Sequence, residues 1–191
     1  MNTIFNLDDV SEQAGNFVAG FVDGEGSFFT STRKHFEITN GQIVYQRPTG
    51  WRFSVNFNIS NNDITVLEYC QKQLGCGNIK ETNDGKNVKY ALEIQDREIL
   101  KKHIVPFFKK FQFVARKKRH EFRVFQVLLR LLDKKQINTF PNLRYFLKLR
   151  KNLGQYREPR ISHSDEIILS TFRPSPILDE DWIKINQNKL K

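Results

Sequence analysis

Ten residues near the middle of the chain, WRFSVNFNIS (51–60), alternate without interruption. Trp51, Phe53, Val55, Phe57 and Ile59 fall on one side, and Arg52, Ser54, Asn56, Asn58 and Ser60 on the other. A strand with this period of two belongs to a sheet with one buried face and one polar face. Antiparallel sheets allow that arrangement, because one of their faces can meet solvent.

The flanking segments supply partners for such a strand. Residues 9–23 read as a helix, with Ala14, Phe17, Val18 and Phe21 at helical spacing. Asp9 with Glu12 forms a candidate capping box, Ser11 is an alternative cap, and Gly24 and Gly26 are stop signals. Residues 27–39 read as a less regular strand, followed by turn signals at Asn40-Gly41 and Pro48-Thr49-Gly50. Asp63 is placed to cap a helix over 64–74, which Gly75-Cys76-Gly77 stops. A hairpin is expected next: strand 78–82, a turn around Asp84-Gly85, and strand 87–94 with Val88, Tyr90, Leu92 and Ile94 inward. Helices are expected near 97–111, 117–133 and 140–152, the second carrying Phe122, Phe125, Leu128, Leu129 and Leu132. Residues 157–180 read as an extended tail with a short helix at 179–186. The fold class is therefore α+β with one antiparallel four-stranded sheet. One domain is expected over 1–155, with a C-terminal extension over 156–191.

The formal net charge of +10 is unevenly spread. Residues 1–100 hold 9 Lys and Arg against 13 Asp and Glu, whereas residues 101–160 hold 18 against 3. So basic a segment calls for a polyanion, most simply nucleic acid. No apolar run reaches membrane-spanning length, and no strongly amphipathic terminal helix points to a membrane surface. The start, MNTIFNLDDV, has neither the basic nor the apolar region of a signal peptide, and its acids argue against a transit peptide. Cys70 and Cys76 match no metal pattern and read as free thiols of an intracellular, reducing compartment. Asn, Lys, Ile and Phe make up 67 residues. Their A/T-rich codons point to an A/T-rich genome, as in an organelle or a mobile element. The outward side of the sheet would carry Arg33, Arg52, Ser54, Asn56, Asn58, Lys80 and Lys89, side chains able to read base edges in a major groove.

The stretch FVAGFVDGEGSF (17–28) is harder to explain as a simple helix end. Asp23 and Glu25 stand where the helix dipole disfavours acids. Gly15 and Ala19 are four residues apart, as are Gly20 and Gly24, a spacing that lets two helix backbones approach closely. If a second copy packs on this helix, both acidic ends meet near a two-fold axis. Their repulsion is relieved by a divalent cation such as Mg2+, which takes carboxylate, carbonyl and water ligands. With phosphate brought in by the nearby cations, these are the parts of metal-assisted phosphodiester hydrolysis.

VAGFVDGEGSF (18–28) resembles the motif of the LAGLIDADG homing endonucleases, and so, in the family's order, do FNISNND (57–63), LGCGNI (74–79) and PFFKKFQFVARKKRHEF (106–122). The resemblance covers roughly residues 10–135. A single motif copy implies the homodimeric branch, which uses Mg2+ or Mn2+ to make a staggered double-strand break in a long, near-palindromic DNA. It also implies a saddle-like sheet over the major groove, with helices packed on its other face. Carried over by position, Glu25 is the direct metal ligand with the Gly24 carbonyl beside it. Asp23, with Gly15, Ala19 and Gly20, serves the helix end and dimer interface, and Asn61 positions water. The basic group that stabilises the transition state is Lys117 or Lys118, with Arg116 a third candidate and otherwise a DNA contact. Glu25 and Asn61 stand where relatives more often have Asp and Gln, and both keep the chemistry, since Glu ligates and Asn donates and accepts. The alternative implied function is a non-cleaving relative that aids splicing of an intron RNA or regulates DNA. The resemblance implies an intron-encoded protein, and the A/T-rich codon usage points to a chloroplast or mitochondrion as its setting.

Overall fold

The computed structural model describes residues 5–45, 49–83, 88–133, 136–153 and 163–174. The expected turn at Asp84-Gly85 and helix at 179–186 lie outside them. A short 3-10 turn, Leu7–Asp9, precedes α1 (Glu12–Glu25). Then follow β1 (Gly26–Lys34), β2 (Phe36–Thr39), β3 (Gln42–Tyr45), β4 (Trp51–Asn61), α2 (Ile64–Leu74), β5 (Asn78–Asn83) and β6 (Val88–Ile94). Helices α3 (Arg97–Ile99) and α4 (Val105–Lys110) are joined through a π-helical turn at Leu100–Ile104, and α5 (Arg116–Asp133), α6 (Phe140–Arg150) and α7 (Asp165–Thr171) complete the order. β1, β4, β6 and β5 lie side by side in that order in a four-stranded antiparallel sheet, so the fold class is α+β as the alternation required.

Three local expectations are corrected. Ser11, not Asp9, caps α1, accepting from the Ala14 N–H at 3.2 Å. The helix runs through both acids to Glu25, because Gly24 takes helical geometry and the stop comes at Gly26. The stretch expected as an extended tail contains α7, capped by Ser164, whose hydroxyl accepts from the Ile167 N–H. Its apolar Ile168 and Phe172 are buried, and that burial stabilises a helix too short to persist alone.

The chain divides into two compact units. The first comprises Met1–Phe29, Val55–Gln126 and Leu153–Gln155. Its core is aromatic: the Phe28 ring meets those of Phe57, Phe108, Phe113, Phe122 and Phe125 at centroid distances of 4.7–6.3 Å. Phe28 and Phe57 are inward residues of β1 and β4, so this side of the sheet is packed by α4 and α5. On the other side, register aligns Asn58, Glu93 and Asn78 in one row across β4, β6 and β5.

The second unit comprises Thr30–Ser54, Val127–Asn152 and Tyr156–Lys191. It contains a hairpin not expected as such, β2 paired with β3 through Asn40-Gly41. Both turn residues have positive φ, 51° and 75°, as a two-residue hairpin turn of this hand requires. Phe53 packs on Phe146 of α6, and Trp51 Nε1 donates to Thr171 Oγ1 of α7 at 3.0 Å.

Candidate active site

The C-terminal end of α1 is tied to the start of α5 by two side chains. Asp23 Oδ2 accepts from the Val114 and Ala115 N–H groups at 2.8 and 3.1 Å, the two amides that precede α5. This resolves the electrostatic difficulty. The carboxylate is unfavourable at the C-terminus of its own helix, but it sits at the N-terminus of another, where unpaired amides and the dipole favour an anion. α5 has no acid in its own first turn, so Asp23 supplies one from outside.

The second tie is Lys118. Its Nζ donates to the Gly26 carbonyl at 2.5 Å and lies 3.6 Å from the buried Glu121 carboxylate. Lys118 is only 8% exposed, whereas the Lys117 side chain is 81% exposed and Arg116 and Arg119 also face solvent. Of the four cations in ARKKR, Lys118 alone is turned towards the acidic helix end. A signal in the sequence could have separated it: Lys118 precedes Phe122 and Phe125 by four and seven residues, on the apolar side of α5.

Glu25 is the last residue of α1 and is exposed, one residue from that carbonyl. The tight turn into β1 requires Gly26, where an added Cβ would come within 2.4 Å of Val22 Cγ1. Gly24 is exposed in the last helical turn. Asn61 ends β4, and its Oδ1 accepts from the Asp63 N–H at 2.8 Å, a local turn that starts α2. That leaves both amide N–H groups and one lone pair of Oδ1, so Asn61 can still donate to a water. No hydrogen bond joins Asn61 to Glu25 or Lys118 among the described residues.

The helix end gathers several hard oxygen atoms. Asp23 Oδ1 is buried without a hydrogen-bond partner among the described residues. The exposed Glu25 carboxylate and the carbonyls of the last helical turn are further hard oxygen donors, which suit Mg2+. Among the described residues no group of three or more His, Cys, Asp or Glu could hold a metal ion. Cys70 and Cys76 are free, and burial pushes their thiols up to about 11 and about 12, which keeps both out of thiolate chemistry.

The four small residues of α1 do not share one face. Gly15 and Ala19 are buried within the chain, and a Cβ on Gly15 would come within 2.4 Å of the Phe111 ring. These two serve the chain's own core rather than a partner, which corrects the expectation for both. Gly20 and Gly24 are exposed, with nothing among the described residues within 4 Å of an added Cβ. The difference follows from helical phase, since residues 15 and 19 lie with Val18 and Val22 on the core side.

On the polar side of the sheet, Arg33, Arg52, Lys80 and Lys89 are exposed, while Ser54 and Asn58 are half-buried. Asn56 departs from expectation: it is 1% exposed. Strand alternation gives it the polar side, but neighbouring groups cover the middle of β4, so it is removed from contact with a ligand. Ser54 shares a 2.6 Å hydrogen bond with Ser31, and Lys80 is paired with Glu93 at 2.6 Å. Glu93 and Asn78 were missed, although alternation in β5 and β6 sets them beside Asn58. A carboxylate among these amides adds an acceptor to a face otherwise rich in donors.

Residues 18–128 match the LAGLIDADG endonuclease family. The chain is similar to the DNA endonuclease I-CeuI of Chlamydomonas moewusii, 26% identical over 139 residues that make up 70% of this chain and 59% of that protein. It is also similar to the probable intron-encoded endonuclease Cox1-I1b of Schizosaccharomyces pombe, 28% identical over 145 residues, 73% of this chain and 34% of that protein. The chain thus spans about 59% and 34% of the length of these curated relatives. In structure it resembles the homing endonuclease I-TnaI, with a TM-score of 0.66, 28% identity, and coverage of 81% of this chain and 97% of that one. The matched segment runs from Val18 in α1 to Leu128 in α5 and so includes the acidic helix end, all four strands of the four-stranded sheet and Lys118: the chain belongs to the LAGLIDADG endonuclease family.

Proposed function

We propose that this chain is a site-specific DNA endonuclease that acts as a homodimer, with residues 1–155 as the cutting domain and 156–191 as an extension. The observation that carries this is the junction of α1, β1 and α5. There the exposed Glu25 carboxylate stands one residue from a carbonyl held by the buried Lys118 ammonium. Glu25 and the Gly24 carbonyl are the groups that would hold a divalent ion, with the matching pair from a second copy. When bound, Mg2+ or Mn2+ would supply a polarised water and charge neutralisation at phosphate. Lys118 offsets the charge that develops on the phosphate oxygens. Asn61 donates to and orients the attacking water. Asp23 holds the helix end in place through α5. The test is incubation of the protein with DNA spanning an intron-free insertion junction, with Mg2+ and with chelator. Staggered cuts that chelator abolishes are expected.

The dimer would form along the exposed side of α1, through Gly20 and Gly24. Gly20→Leu should leave thermal unfolding of the chain near wild type, because no described residue occupies that space, and should break the dimer. Sedimentation of both proteins, with and without DNA, checks this. A wild-type monomer under both conditions would refute the dimer.

The sheet's polar side would read bases in a double-stranded target, and the cations of 101–160 would hold phosphates. Arg52→Ala should change the selected sequence, at about 1–3 kcal/mol for a bidentate base contact. Lys148→Ala should weaken binding to all sequences alike and reduce the salt slope by about one. Binding-site selection at several salt concentrations separates the two effects. A non-cleaving role on an intron RNA is the second reading, favoured by the exposed Arg116, Arg119, Arg123 and Arg130 along α5. Retention of RNA binding without any DNA cutting would select it. Among the described residues no helix is long and apolar enough to cross a membrane. An organellar intron is the proposed setting of the gene.

A further inference from the structure

The one acid among residues 101–132 is Glu121, against ten Lys and Arg. A segment that attracts a polyanion through its cations gains nothing from an acid. Glu121 is also only 4% exposed, three residues beyond Lys118 on α5. Taking a carboxylate out of water is costly unless it is paired. Glu121 is the sixth residue of α5, beyond the first turn, so the helix dipole does not account for it.

Its two oxygens face two lysines of unequal kind. Oε1 lies 4.0 Å from Nζ of the solvent-exposed Lys117, and Oε2 lies 3.6 Å from Nζ of Lys118, whose side chain is 10% exposed. Water screens the first pair, and exposed pairs of this sort contribute little. The second pair is shut off from water, where charges attract more strongly. At 3.6 Å it is a contact of charges rather than a hydrogen bond, which needs about 3.2 Å or less. Lys118 commits one N–H to the Gly26 carbonyl, and an ammonium has three. Glu121 therefore balances the buried charge without taking up a donor, and two N–H groups are left without an acceptor among the described residues.

Stability does not explain this arrangement. A buried ion pair can often be replaced by apolar side chains of like volume without loss. What an apolar pair would lack is a fixed ammonium, anchored on the carbonyl of the residue that follows Glu25. Given that the chain cuts DNA as proposed above, we propose that Glu121 is a positioning residue of the cleavage site. It holds the Lys118 ammonium against Gly26 and leaves two of its N–H groups for phosphate. Glu121 touches neither DNA nor metal and acts only through Lys118.

The experiment compares the full-length wild type, Glu121→Gln, Lys118→Met and the double variant on DNA spanning the insertion junction, below the lowest of their unfolding temperatures. Gln keeps the shape of Glu and removes its charge. Glu121→Gln should slow single-turnover cutting about a hundredfold, the scale of misplacing a reacting group by an ångström. Its affinity for the same DNA should match wild type. In the Lys118→Met background the same substitution should slow cutting no further, because its effect passes through Lys118. An acid that served the fold alone would act equally in both backgrounds. Wild-type cutting by a folded Glu121→Gln, or the same added loss on top of Lys118→Met, overturns the assignment. If Glu121→Gln does not fold, nitrogen NMR of the wild-type Lys118 side chain decides: an ammonium protected from exchange with water supports the role, and a freely exchanging one overturns it. A wild type that cuts, with Lys118→Met cutting equally well, leaves the endonuclease standing and removes the roles of Lys118 and Glu121. A wild type that cuts no DNA overturns both readings.

Discussion

Replacing Glu25 with Gln is expected to remove DNA cleavage, by on the order of a thousandfold or more, the scale seen when a group that stabilises developing charge is lost. DNA binding should stay within severalfold of wild type, read in the same samples. Gln keeps the size and the polar contacts of Glu but cannot supply a negative oxygen to a hard cation. Among the described residues no hydrogen bond or ion pair holds the exposed Glu25, and the helix dipole disfavours its charge, so the substitution should leave the unfolding temperature unchanged or slightly raised. Asp23→Asn is the informative companion. The Asp23 carboxylate accepts two backbone N–H bonds at the N-terminus of α5, and hydrogen bonds to a charged group contribute about 1.5–3 kcal/mol. Asn retains an acceptor but not the charge, so a loss of about 1 kcal/mol or more in stability is expected, with single-turnover cutting kept below the new transition temperature. Side-by-side unfolding and cleavage of both variants gives the answer. Near-normal cutting by Glu25→Gln would refute the metal assignment, and loss of cutting in a stable Asp23→Asn would exchange the two roles.

Phe28→Ala should be the most destabilising single change in the aromatic core, at about 3–5 kcal/mol. Phe28 is fully buried and touches five other rings, from β4, α4, the segment before α5, and α5 itself. Its removal would leave a cavity lined by side chains that cannot all collapse into it. The site should suffer with the core. Phe28 lies two residues beyond Gly26 and packs on Phe122 and Phe125, four and seven residues beyond Lys118, so it sets the distance between the two halves of the junction. Chemical denaturation should show a lower midpoint at unchanged slope. Cleavage should fall at temperatures where the variant is still folded. A loss below about 1.5 kcal/mol would mean that the cluster repacks around the gap.

Much of this protein is written in short-range patterns. The alternation of 51–60 dictated a one-sided sheet, and the periods of 2 and 3.6 located α1, α2, β5, β6 and α5 to within a few residues. The acidic motif and the basic stretch after it named the family because they are contiguous. What the chain could not express locally is which side chains meet across it. ARKKR offers four cations of one chemistry, and packing of α5 against β1 turned Lys118 to a carbonyl 92 residues away. Gly15 and Gly20 are alike as residues, yet Phe111 fills the space at one and no described residue fills it at the other. Asn56 belongs to the polar side by alternation but is covered in the middle of the strand. Asp23 looks misplaced at its own helix end until α5 brings its N-terminus there. In each case local spacing sets only the direction of a side chain, and its role is decided by a group that folding carries to it from far along the sequence.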